Sequence, residues 1–457
     1  MNITKNIRLS GFIMALLSLY LYENVYGNVH FFDIPLVGHG NFDYYTKFSI
    51  KNVTASKAFD VNSKKSTLGN YLFGKPQLQD IFLASKMSNM GLFTLPVGSP
   101  FGGTRLEQYL ACLAPTELTF NAESTAKIVT GEFLYNFKTI YLKNKNIIFR
   151  TRASFSYVEK IHRLFIKISN GSLQCNAPPS IVNSNINQFY TYFNADFSDF
   201  LNRAVLEPKG IEYKPLNSKS GLGDGLFSLV VDIVPHHHTI RDIQWGINLG
   251  VPLSKTTQKS TLWQPYITDY QNIHIGLFGQ IFTKTHLKTF NPLCFFQANF
   301  IPRHQEIFRM SSMKTHQDLK FIPPPFKTYT QQPFSLVDSV IPEFADQKAS
   351  CKVNPHASFF ATVGNAMNDI FFADLYLTLY YHFFFQTKSK ITPLSQPDKF
   401  DARTLKQQFQ QQSHTLALHL TAYYNKQARF SIGLQKMISG KNTPNESSIY
   451  GTAEISF

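Results

Sequence analysis

From residue 42 onward, apolar and polar side chains alternate with a period of two along much of the chain. Phe42, Tyr44, Thr46, Phe48 and Ile50 share one side of an extended segment, and Asp43, Tyr45, Lys47 and Ser49 share the other. Val129, Gly131, Phe133, Tyr135 and Phe137 alternate with Thr130, Glu132, Asn136 and Lys138. Ile147, Phe149, Phe155 and Tyr157 alternate with Arg150, Arg152, Ser154 and Ser156. The same spacing sets Ile243, Trp245, Ile247, Leu249 and Val251 against Asp242, Gln244, Gly246, Asn248 and Gly250. Leu375, Leu377, Leu379, Tyr381 and Phe383 oppose Asp374, Thr378, Tyr380 and His382. Leu416, Leu418, Leu420 and Ala422 oppose Thr415, His419 and Thr421, and Phe430, Ile432 and Leu434 oppose Arg429, Ser431 and Gln435. Successive side chains of a strand point to opposite faces, so each segment predicts a strand with one apolar face. About a dozen such strands are expected, many of about ten residues, the length that crosses a bilayer at a tilt.

Three stretches break the pattern. Between Ile181 and Glu207 the apolar residues Ile186, Phe189, Tyr190, Phe193, Phe197, Phe200, Leu201, Ala204 and Val205 recur at steps of three and four. That spacing predicts a helical insert ending before Pro208. Residues 303–355 contain Pro323-Pro324-Pro325, Pro333 and Pro342, a density that predicts a long external loop or lumen insert rather than barrel wall. Residues 53–116 carry little strand pattern and are expected to form a plug or an early loop. Turns are expected at Gly221–Gly225, at Asn425-Lys426 and across Ser439–Asn445. The longest apolar run after the amino terminus, Ile370–Phe385, is interrupted by Asp374 and His382 and falls short of the roughly 18–20 residues of a spanning helix.

Composition narrows the class. Of 457 residues, 44 are Lys or Arg and 29 Asp or Glu, for a formal net charge of +15, and only 16% are charged while 15% are aromatic. That balance excludes a disordered polyelectrolyte. At the amino terminus, Lys5 and Arg8 precede an apolar stretch from Leu9 to Tyr22, and Val25-Tyr26-Gly27 offers a cleavage site. This three-part pattern predicts a signal peptide over 1–27 and export of the remainder. Cys112, Cys175, Cys294 and Cys351 form no CxxC pair, and in an oxidising compartment three disulfide connectivities are open to them.

The last nine residues sharpen the picture. Ile449, Gly451, Ala453, Ile455 and Phe457 alternate with Tyr450, Thr452, Glu454 and Ser456, and the sequence stops on Phe457. This resembles the closing strand of Gram-negative outer-membrane β-barrels, porin-like and transport-channel-like proteins among them. The resemblance implies an all-β fold: an antiparallel transmembrane barrel of about 12–14 strands, with the N-terminal strand and plug or loop segment in 28–116 and the barrel in 117–457. It also implies recognition by the barrel-assembly machinery and contact with outer-membrane lipids. Apolar faces then meet lipid, including Ile449, Gly451, Ala453, Ile455 and Phe457 of the terminal strand. Polar faces line the interior, with Glu132, Lys138, Arg150, Arg152, Asp242, Gln244, Asp374, His382, His419, Arg429 and Glu454 as the expected lining. Gly221–Gly225 with the strands at 226–234 and 240–251 is also similar to a hairpin of channels for hydrophobic or aromatic compounds.

Lining charges of both signs suit a water-filled diffusion channel, and they equally suit an ion-pair network that fills a small lumen. A passive channel for small solutes or hydrophobic compounds is the leading reading. A surface adhesin or receptor acting through the long loops is the alternative, and an outer-membrane hydrolase using a pair such as His419 with Ser431 a further one. No GxSxG, HExxH or phosphate-binding loop occurs, so no enzyme activity and no cofactor are expected. His236-His237-His238 lie in a short turn where adjacent side chains alternate sides, so no metal site is expected. No basic cluster marks a nucleic-acid site. The sequons at Asn52, Asn170 and Asn445 would matter only in a eukaryotic secreted protein.

Overall fold

A computed structural model describes residues 44–74, 117–169, 201–207, 210–235, 240–254, 262–267, 273–283, 285, 290–310, 347–368, 375–395, 410–424 and 427–456. The strands among them are β1 (Tyr44–Phe59), β2 (Lys65–Thr67), β3 (Leu118–Leu142), β4 (Lys145–Ile168), β5 (Leu216–Pro235), β6 (Ile240–Pro252), β7 (His274–Thr283) and β8 (Asn291–Ile301). They continue with β9 (His304–Met310), β10 (Gln347–Val353), β11 (His356–Asn368), β12 (Leu375–Gln386), β13 (Ile391–Pro393), β14 (Gln411–Tyr423), β15 (Ala428–Lys441) and β16 (Thr443–Ser456). A short helix, α1 (Leu68–Phe73), is capped by the Thr67 side chain accepting from the Asn70 amide.

Twelve strands form one closed antiparallel barrel, in the order β1, β3–β8, β11, β12 and β14–β16, with β16 returning to β1. The seam runs from Tyr45 opposite Ser456 to Phe59 opposite Thr443. The connections divide by end. Residues 143–144, 236–239, 284–290, 369–374 and 424–427 join strands at the end that also holds Tyr44 and Ser456, here the turn end. Residues 60–117, 169–215, 253–273, 302–355 and 387–410 join them at the opposite, loop end. There β15 and β16 turn on Asn442 alone, at φ 50°.

The wall is apolar outside and polar inside. Leu229, Trp245, Ile247, Leu277, Phe296, Val363, Leu379, Leu418, Leu434 and Ile455 are exposed on the outer face. Their sequence neighbours Ser228, Asn248, Phe278, Thr362, Thr378, Tyr380, His419 and Glu454 are buried on the inner one. A soluble barrel has the opposite arrangement. In hydrocarbon a sheet persists only when every backbone amide is paired, which closure achieves. Near the turn end Tyr44 and Tyr135 stack at 5.2 Å, an aromatic rim of the kind found at a membrane interface.

On β3 the pattern inverts partway along the strand. From Phe133 to Val129 the outward side chains are apolar, whereas nearer the loop end they are Lys127, Thr125, Glu123 and Asn121. Inward positions there become apolar, with Ile128, Ala126, Ala122, Phe120 and Leu118 buried. This upper part of β3 therefore stands clear of lipid as an ordinary water-facing sheet. α1 covers it, with Phe73 stacked on Phe120 at 4.8 Å.

Several expectations are corrected. Lys138 does not line the interior: a bulge between Asn136 and Lys138 adds a residue and sets Lys138 opposite outward-facing Phe149. Gly221–Gly225 is not a turn but part of β5, bulged against Phe155 and Tyr157 of β4. Residues 304–310 and 347–353, expected in loop or insert, are strands that pair with each other, and β10 pairs in turn with β13, in a small sheet outside the barrel wall. Residues 53–59, expected in a plug or loop, complete a wall strand. Of the predicted helical insert, Leu201–Leu206 form a π-helical turn, and 181–200 lie outside the described residues. The signal-peptide segment, His236–His238, Asp374 and Phe457 also lie outside them.

Candidate functional site: the barrel interior

Strand register brings lining charges into rows. Lys47 lies opposite Glu132 on β3 and opposite Glu454 on β16, and Glu454 lies opposite Arg429 on β15. Arg429 and Glu454 form an ion pair, and Tyr45 Oη donates to Glu454 Oε2 at 3.0 Å. Arg152 Nη2 reaches Glu132 Oε2 at 2.7 Å. Five neighbouring strands thus carry alternating charge in the order Arg429, Glu454, Lys47, Glu132, Arg152. Around the wall, Arg150 Nη2 meets Asp232 Oδ2 at 2.9 Å, each side chain only 1% exposed. Gln244 lies opposite Asp232 in register, and Asp242 is buried on the same strand. A lone charge in such a setting costs several kcal/mol, so sign alternation is what makes the row tolerable.

A second feature is aromatic. Phe278, Phe295, Phe360, His382 and Tyr380 follow one another across β7, β8, β11 and β12, with ring centroids 6.5, 5.9, 5.6 and 5.7 Å apart. From Tyr380 the series continues to His419 at 6.2 Å and Tyr450 at 5.5 Å. Three of these rings lie over a glycine directly opposite on the next strand: Phe278 over Gly246, Tyr380 over Gly364 and Tyr450 over Gly433. A Cβ at any of these glycines would run into the ring. The ring thereby covers the backbone that glycine leaves bare, which holds it flat against the wall. Thr362 Oγ1 lies 2.7 Å from His382 Nδ1, fixing that imidazole within the series.

Toward the loop end the interior is apolar and covered. Ile267 packs on Val53, Ala126, Ile128 and Val158, and the Trp263 ring stacks on His162 at 4.0 Å. Tyr213 Oη donates to the Leu164 carbonyl at 2.9 Å, and Arg309 Nη2 donates to the Gly210 carbonyl at 2.8 Å. The latter bond ties the β9–β10–β13 sheet to the segment before β5.

Of the expected lining residues, Glu132, Arg150, Arg152, Asp242, Gln244, His382, His419, Arg429 and Glu454 face inward. Ile449, Gly451, Ala453 and Ile455 face outward. His419 and Ser431 both face inward on the adjacent strands β14 and β15, His419 opposite Gly433 and Ser431 opposite Thr421, with Ser431 Oγ 3.1 Å from Thr421 Oγ1. Tyr45 and Asp232 were missed. Asp232 stands between Val231 and Ile233, so alternation marks it; alternation sets Tyr45 on the Lys47 side, but its bond to Glu454 depends on the pairing of β1 with β16. Cys294 is a free thiol on the outer face, Cys351 is buried with its Sγ 3.5 Å from the Ala349 carbonyl, and Cys112 and Cys175 lie outside the described residues.

No family model matches the chain, and no curated protein matches it. Among solved structures it is similar to an outer membrane channel from Pseudomonas putida F1, at 7% identity and a TM-score of 0.44, covering 92% of this chain and 100% of that one. It is also similar to the transport unit of the autotransporter AIDA-I from Escherichia coli, at 5% identity and a TM-score of 0.38, covering 93% of each chain. The translocator domain of the autotransporter NalP from Neisseria meningitidis matches at 6% identity and a TM-score of 0.31, covering 99% of this chain and 97% of that one.

Proposed function

We propose that the protein is an outer-membrane passive channel for small solutes, held in a narrow state by its own interior side chains. The observation that carries this reading is the charged row from Arg429 to Arg152: polar groups line a closed transmembrane wall, yet they are turned on one another and largely buried. Such a row narrows the path while leaving it polar, so passage requires the pairs to part or shift. The reading includes insertion by the barrel-assembly machinery, no cofactor and no catalytic step.

Planar-bilayer recording of the purified protein tests it. Wild type is expected to give small discrete conductance steps. Arg429→Ala combined with Glu454→Ala, which removes both charges of one pair, is expected to raise the unit conductance. Absence of conductance from both proteins over a range of voltages would overturn the reading.

The part of the molecule beyond the apolar belt favours a second reading, a surface receptor or adhesin. It comprises the upper half of β3 and β4 and the β9–β10–β13 sheet, all at the loop end. Deleting residues 311–346 should abolish attachment to host surfaces if this reading holds and leave conductance unchanged. Unchanged attachment would remove it.

A further inference from the structure

A barrel's outer wall is convex, but between β8 and β1 it is indented by a groove of about 1040 Å³. Its floor follows the line of direct pairing across the strands: Leu379, Leu418, Leu434 and Ile449 are successive register partners on β12, β14, β15 and β16. One end lies by Pro292, next to the turn-end terminus of β8, and the other by Asn52, well up β1 toward the loop end. Strands of a barrel are tilted, so a line drawn across them climbs the wall and this groove descends obliquely through the apolar belt.

Asn365 borders the turn-side end beside Pro292, but the charge in the lining stands at the loop-side end. Lys436 is exposed on the outer face of β15, between Leu416 and Ser447 in register, and it borders the groove. Across β16, Asn52 on β1 ends the row of Leu434 and Ile449, and Lys127, itself opposite Glu159, is its register partner on β3. An apolar trough with a cation at one end has the polarity of a single amphiphile: tails below, anionic head above. A second copy of the chain does not suit it. A twofold contact needs a self-complementary surface, and two concave faces leave each other unfilled.

We infer that this groove is a binding site for lipopolysaccharide of the loop-side leaflet, its acyl chains on the leucine floor and a lipid A phosphate at Lys436. The inference rests on the outer-membrane reading above, which places that glycolipid in the leaflet facing outward.

Native mass spectrometry of the full-length protein in mild detergent, titrated with lipid A and separately with phosphatidylglycerol, tests the site. Wild type should bind lipid A at least about tenfold more tightly than phosphatidylglycerol. Leu418→Trp, which fills the trough, and Lys436→Glu, which reverses the charge, should each weaken lipid A binding by about tenfold or more. Leu277→Trp, outward on β7 and away from the groove, should leave it unchanged. Equal binding of the two lipids, no effect of either groove variant, or dimers that disappear with Leu418→Trp would overturn the inference. Heat-modifiable mobility and bilayer conductance are read on the same preparations. Loss of lipid A binding with both retained reports on the groove alone, whereas loss of conductance throughout reports on the channel reading.

Discussion

Arg429 and Glu454 sit with side chains 5% and 3% exposed, so each depends on the other for its charge to be tolerated. Removing one partner of a buried pair costs about 3–5 kcal/mol, because the charge left behind has nothing to answer it. Glu454→Ala should therefore lower the urea midpoint of the folded, heat-modifiable species more than Arg429→Ala combined with Glu454→Ala does. A double variant less stable than the single one would contradict this account. Glycine under an aromatic ring gives a second test. Gly433→Val drives a branched side chain into the Tyr450 ring and should destabilise the barrel by about 1–3 kcal/mol or more. Tyr450→Ser in the same chain should restore most of that loss, measured by the same midpoint. Alternation revealed which way Arg429, Glu454 and His419 point, because a strand keeps its facing until a bulge intervenes. It failed at Lys138, where one extra residue reversed the facing and no side chain announces the slip. The glycine–aromatic pairs were not legible, since they join residues of different strands and depend on register.

At the scale of an element, β12 and β14 were legible and β3 only half so. Both faces of β12 follow one rule along its length: Leu375, Leu377 and Leu379 outward, Thr378, Tyr380 and His382 inward. A charge on the outward side of such a strand meets hydrocarbon. Leu379→Arg should cost about 2–4 kcal/mol in folding from denaturant into lipid vesicles, and Asn121→Arg, exposed on the water-facing upper part of β3, much less. Equal effects would remove the assignment of the outer face of β12 to lipid. β3 obeys two rules in succession, since its upper part faces water rather than lipid. Only the lower part, from Val129 to Phe137, matched the lipid-facing pattern. Gly221–Gly225 misled in another way: glycine-rich sequence marks turns and bulges alike, and tertiary pairing with Phe155 and Tyr157 decided for a bulge.

For the whole molecule, alternation and strand length pointed to a membrane barrel, and closure settles the strand number at twelve. The separation of short turns from long connections gives the barrel two unlike ends: charge pairs lie near one, and apolar packing around Ile267 and Trp263 covers the other. These coverings join residues far apart in sequence, which is why no local pattern disclosed them. The division of the wall into a lipid side and a lumen side requires that β16 pair with β1. In a chain whose four native cysteines are replaced, Phe48→Cys and Ala453→Cys place two thiols opposite one another across that seam. Mild oxidation of the membrane-inserted protein should link them, giving a denatured band of faster mobility that reverts on reduction. Phe430→Cys with Ala453→Cys, across the β15–β16 pair, serves as the positive control. A control that links while the seam pair stays reduced would show an open sheet and contradict the barrel.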